Sequence, residues 1–172
     1  MNKTINRKEF LFALIASICF IILALLSFFA DIWFAKSALL GRIRFLDVIE
    51  WLIFAALAVT LFLENKRAFF AAASVYALLH FLNMILLFDT WALFRFLSCA
   101  ALVCVTLLAI LQNNSFSKIW FVPAALMFAG CLISWISYRY FSNFTLMWKT
   151  ILLTLLEAVA VFFAGWWLKE SV

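Results

Sequence analysis

The chain has 172 residues, of which 70% are hydrophobic and 12% charged, and its mean hydropathy is +1.19. A soluble domain is typically about half apolar and a quarter charged, so this much apolar surface excludes a water-soluble globule and points to an integral membrane protein. The formal charge of +5 is spread over loops and helix ends, with no basic tract and no RNA-binding motif. The bilayer and its anionic headgroups are therefore the expected partner, and nucleic acid is not.

There are 22 Phe and 8 Trp but only 3 Gly and 1 Pro. Long apolar runs with few breakers favour spanning helices over a barrel, whose strands would alternate. A crossing needs about 20 apolar residues, and six such runs are found: 10–30, 45–63, 68–88, 91–111, 118–137 and 149–168. The expected fold is all-α, a single polytopic bundle of six transmembrane helices with no linker long enough to separate domains.

The first run follows the charged lead "MNKTINRKE". It is longer than the 7–15 residues or so of a signal-peptide core, and cleavage after Ala30 would place Phe28 where a small residue is wanted. It is read as a retained helix. Ala13, Ser17, Ala24 and Ser27 lie on or near one of its faces, a pattern that lets helices approach closely.

The second run opens with "GRIRFLDVIEWLIF". Arg44, Asp47 and Glu50 are spaced i, i+3, i+6 and form a charged ladder running inward from the surface. Both acids lie in the first turns, where the positive end of the helix dipole favours them. Asp47 is expected to pair locally with Arg44. Glu50, about 9 Å below Arg44, is the acid placed to face the bundle interior.

The third run follows the short polar break "ENKR". Tyr76, His80 and Asn83 fall at i, i+4 and i+7, a stripe suited to close packing and inter-helix hydrogen bonds. A lone histidine cannot make a zinc site, and Met84 beside it is a weak second ligand for a haem. A hydrogen-bonded core histidine and a protonatable ligand contact are the two roles left. The fourth run carries Arg95 near its start. It also carries Cys99 and Cys104, five apart, which is no metal-ligand spacing. With Cys19 and Cys131 these are read as small hydrophobes inside apolar runs, and no cofactor or metal is expected.

The fifth run contains Pro123 early on, which either kinks the helix or shapes its first turns, and a small-residue stripe of Gly130, Ser134 and Ser137. The sixth places Thr150, Thr154 and Glu157 on one stripe, with Ala160, Ala164 and Gly165 beyond. Glu157 lies about 12 Å from Lys149 at the helix start, near the middle of a hydrocarbon core about 30 Å thick. An ionisable residue at such depth costs about 2.5–3.5 kcal/mol to insert, so it faces inward and has a partner. That partner is either a structural hydrogen bond or a proton-coupling or ligand site.

The odd runs open on cations followed by Phe and small residues ("KEFLFALIAS", "KRAFFAAAS", "KIWFVPAA"). The even runs open on a cation and an apolar turn ("RFLDVIEWL", "RFLSCAALV", "KTILLTLLE"). A spacing of roughly 50–58 residues makes three repeated two-helix hairpins, although any short membrane hairpin tends to begin this way. Six spans put both termini on one side, with seven Lys/Arg there and six opposite. The bias is small. The Lys/Arg cluster of the leader favours cytoplasmic termini in the plasma membrane.

No GxSxG, HExxH or phosphate-cradling glycine loop is present, so no enzyme is expected. The first functional expectation is a small transporter or a solute- or lipid-binding membrane subunit, with a polar site in the outer half of the bundle. Glu157, His80, Glu50, Tyr76, Asn83 and Thr154 would line it. Arg44, Arg95 and Lys149, one cation at the start of each even helix, would form a ring above the acids and gather a small anionic or zwitterionic solute or lipid headgroup. The second expectation is a non-catalytic assembly subunit whose Phe/Trp-rich faces pack on another membrane protein.

Overall fold

A computed structural model of the chain describes residues 7–36, 45–87, 90–112, 119–140 and 144–172. Six α-helices form where six were expected: α1 Arg7–Lys36, α2 Phe45–Phe62, α3 Lys66–Leu87, α4 Thr90–Ile110, α5 Val122–Tyr140 and α6 Phe144–Glu170. Two are longer than the hydropathy runs. α1 continues through "DIWFAK" and α6 starts at Phe144, not at residue 149. A charged or polar residue ends an apolar run, but without Gly or Pro nothing interrupts the helical hydrogen bonds. Four helices are long and apolar enough to cross a membrane, whereas the apolar helices Val48–Phe62 and Ile119–Ile133 are shorter.

The helices pack as a closed ring in chain order, with α1 against α6 completing the circle and α4 also reaching α6 across it. Neighbours run antiparallel. The termini share one end: Phe12 stacks on Trp166 at 4.9 Å between ring centroids, and the Lys66 ammonium donates to the Ser171 carbonyl at 2.6 Å. Around the outside, large apolar side chains such as Leu25, Phe29, Leu52, Leu78 and Leu86 are exposed. A water-soluble monomer rarely shows apolar patches of more than a few hundred Å². A bundle belted in this way is membrane-embedded.

Local chemistry explains the turns at the terminal end. α2 closes with Glu64 at φ 50°, while Asn65 N–H donates to the Thr60 carbonyl and Glu64 N–H to that of Leu61. This is a Schellman closure with Glu in the left-handed position. The Asn65 side chain then accepts from Ala68 N–H and caps α3, so "ENKR" both stops one helix and starts the next. α4 ends similarly, with Gln112 at φ 52°. Pro123 does not kink α5. A short 3-10 turn over Ile119–Phe121 precedes Val122, so Pro123 sits in the first turn of α5, where an N–H would have no intrahelical partner.

Inside the ring, the small-residue stripes are packing surfaces. Ala13, Ser17 and Ser27 of α1 are buried, as are Ala160 and Ala164 of α6. Ser17 donates across to the Ala58 carbonyl of α2 at 2.8 Å, and Ser98 of α4 donates to the Pro123 carbonyl of α5 at 2.6 Å. Inter-helix hydrogen bonds of this kind in membrane proteins average about 0.6 kcal/mol. Ser98→Ala is therefore expected to lower the thermal midpoint of the solubilised protein only slightly, by about 0.5–1 kcal/mol equivalent. Among the cysteines, Cys99 and Cys131 are buried, Cys19 is half-buried and Cys104 is exposed on the apolar exterior; all four are free thiols.

Candidate functional site

The interior changes character along its axis. Toward the terminal end it is aromatic: Phe69 meets Trp167 edge-on, and Phe121 packs on Phe162 and Trp166. Lys169 lies over the rings of Phe121 and Trp166 at 5.9 and 6.0 Å. Beyond this plug the ring becomes polar at one level. Glu50, Arg95, Glu157 and His80 each lie 12–15 residues from the terminal end of their own helix, which at 1.5 Å per residue is about 18–22 Å. Four residues spread over 108 positions of sequence thus share one depth, set by the up-and-down alternation of the helices.

At that level the three even helices meet through charge. One nitrogen of Arg95, Nη2, donates to Glu50 Oε1 at 2.6 Å and to Glu157 Oε2 at 2.9 Å. The Arg95 and Glu157 side chains are 10% and 1% exposed, and that of Glu50 is 19% exposed. Taking ions out of water costs several kcal/mol each, and a pair survives only where geometry and hydrogen bonds compensate. A bridging guanidinium supplies that compensation to both carboxylates.

The α3 stripe borders this triad. Tyr76 and His80 are fully buried, with ring centroids 4.5 Å apart in an edge-to-face arrangement. Tyr76 in turn packs edge-on against Phe54, and Phe54 lies 6.1 Å from Phe20, so a ladder of rings from α1 through α2 holds the histidine in place. His80 lies within electrostatic reach of Arg95, and Cys99 within reach of both Arg95 and Glu50. The acceptors Tyr76 Oη, His80 Nε2 and Glu157 Oε1 are buried here without a hydrogen-bond partner, beside an Arg95 that bonds through Nη2 but not through its buried Nε. Buried polar groups are overwhelmingly paired; the aromatic plug also holds two unpaired indole nitrogens, Trp120 Nε1 and Trp167 Nε1, but at the triad the unpaired atoms lie beside buried charge.

Of the residues expected to form the site, the structure brings together Glu50, Arg95, Glu157, His80 and Tyr76. Thr154 is buried three residues before Glu157 on α6, and Asn83 is half-buried one turn beyond His80. The arrangement of Arg95 differs from a cation ring above the acids: it lies between them and bonds both. The reason is depth. Arg95 enters α4 five residues from its start, about 7.5 Å down the axis, where its side chain reaches both carboxylates. Arg44, the Arg44–Asp47 pairing and the side chain of Lys149 lie outside the described residues. Among the described residues, no three His, Cys, Asp or Glu side chains come together to hold a metal ion.

The residue undervalued by sequence reasoning is Arg95. Its signal was present: a permanent cation a full turn inside an apolar run needs a buried anion, and Glu157 needed a cation at the same depth. Comparison with protein-family models, with curated proteins and with solved structures gives no match, so the reading of this site rests on its own geometry.

Proposed function

We propose that the chain is a small transporter or a solute- or lipid-binding membrane subunit, with its site at the Glu50–Arg95–Glu157 triad. The supporting observation is the set of three unpartnered buried atoms, Glu157 Oε1, His80 Nε2 and Tyr76 Oη, beside that triad. A purely structural ion network gains from satisfying all its members, because a partly satisfied one is worse than an apolar core. Ionisable side chains held at mid-bundle mark substrate and ion pathways. The site lies past the aromatic plug, in the half of the bundle remote from the termini. With the leader's cations holding the termini in the cytoplasm of a plasma-membrane protein, that is the outer half. The residues take binding roles and none takes a catalytic one.

Native mass spectrometry of the gently solubilised chain tests this reading. A defined small molecule or one lipid class held by the native protein, and lost in Glu157→Gln, is the expected result. That variant keeps the side-chain volume and brings the triad from two carboxylates per guanidinium to one, so it is expected to fold as well as the native chain. Normal ligand retention by Glu157→Gln removes the assignment. A membrane protein co-purifying at fixed stoichiometry, with no small molecule, favours the assembly-subunit reading instead.

A further inference from the structure

The chemistry of the three orphaned atoms narrows what the site accepts, and this step rests on the binding reading above. The triad holds two carboxylates and one guanidinium, so with both acids ionised it carries one surplus negative charge in a medium that penalises unbalanced charge. An anionic ligand would add to that surplus. A cationic group offsets it.

The orphaned atoms also specify which kind of cation. Glu157 Oε1 is an acceptor, the phenol oxygen of Tyr76 accepts through its lone pairs, and the imidazole of His80 in its Nδ1–H tautomer presents Nε2 as an acceptor. A primary ammonium has three N–H donors. A quaternary ammonium has none and would leave all three acceptors unpaired. A hard metal cation prefers oxygen ligands throughout, and an imidazole nitrogen suits it poorly. We infer that the bundle binds a primary ammonium group, accepted by Glu157 Oε1, His80 Nε2 and Tyr76 Oη beside the Glu50–Arg95–Glu157 triad. Such a group arrives either as the head of an aminophospholipid or on a small water-soluble amine; the chemistry recognised is the same.

The test uses the full chain in phosphatidylcholine nanodiscs, with the thermal midpoint followed by tryptophan fluorescence. Millimolar ethanolamine, tetramethylammonium and acetate are added in turn, and a second set of discs contains phosphatidylethanolamine. Stabilisation by ethanolamine, or by phosphatidylethanolamine, with none from tetramethylammonium or acetate, is the expected pattern. Which of the two amines acts identifies the source as solute or lipid. The effect should vanish in Glu157→Gln. In Tyr76→Phe, whose midpoint without amine should match the native one, amine affinity should fall roughly tenfold, the cost of one hydrogen bond to a charged group. Stabilisation by acetate, equal stabilisation by tetramethylammonium, or no response to either amine overturns the ammonium assignment. The two readings fail separately. A bound molecule without an amine in native mass spectra removes the ammonium and leaves the binding site, whereas a chain that holds no small molecule and only a partner protein removes the site itself.

Discussion

Arg95→Leu is expected to be the most damaging single substitution in the polar layer, costing about 3–5 kcal/mol. It leaves Glu157, 1% exposed, and Glu50, 19% exposed, facing one another with no cation between them. The loss comes mainly from uncompensated buried charge and only secondarily from the two hydrogen bonds. This origin is separable by rescue. In the chain carrying Glu50→Gln and Glu157→Gln together with Arg95→Leu, no ionised group remains at that level, and most of the loss should be recovered, since neutral replacements of buried ion clusters are often tolerated. Thermal midpoints of the single and triple variants in one detergent decide it. A triple variant as unstable as the single would mean that Arg95 acts through packing of its stem and not through its charge.

The second large effect lies at the other end of the bundle. Gly165 of α6 is buried against the turn that precedes α5, and a Cβ built on it would overlap the carbonyl oxygen of Trp120. Two terms compete in Gly165→Ala. Alanine improves intrinsic helix propensity by about 0.8–1 kcal/mol. Against that, the obstacle is backbone, not the flexible tip of a side chain, and Trp120 is itself 1% exposed and held in the aromatic plug. Relief requires moving the Ile119–Phe121 turn off α6, and overpacking of this kind costs about 1–3 kcal/mol or more. The clash term wins, so a net loss of about 1–2 kcal/mol is expected. Val159→Ala, at an exposed position on the same helix, is the control expected to change the midpoint little. Measuring both by thermal denaturation checks the prediction, and a Gly165→Ala chain as stable as the control would show that the turn yields.

Much of this architecture is legible in the amino-acid sequence because the bilayer imposes strict rules. Every backbone group in lipid must be satisfied internally, so six apolar runs meant six helices. Their short polar breaks meant antiparallel neighbours and termini at one end. The inward faces were readable too. Glu157 and His80 sit on helical stripes whose other members are small or polar, and the cost of insertion leaves such residues nowhere to point but inward. Helix ends were less legible. α1 and α6 overrun their apolar segments because backbone hydrogen bonding continues through "DIWFAK" and "FTLMW" irrespective of side-chain polarity.

Which inward residue meets which is settled by the packing of the helices. The order of residues is enough to read a membrane helical bundle, a deep Glu157, and Arg95 and Glu50 opening their helices on the same side. That α4 reaches across the ring to α6 is not readable there, because the order of helices around a bundle is set by how their surfaces interlock in three dimensions and not by any periodicity along one of them. That crossing puts one guanidinium nitrogen between two carboxylates 107 positions apart in sequence. It places Arg95 between the acids and not above them. The same packing leaves the acceptors Tyr76 Oη, His80 Nε2 and Glu157 Oε1 beside it without a partner, because rigid helices fix the depth and direction of each side chain together.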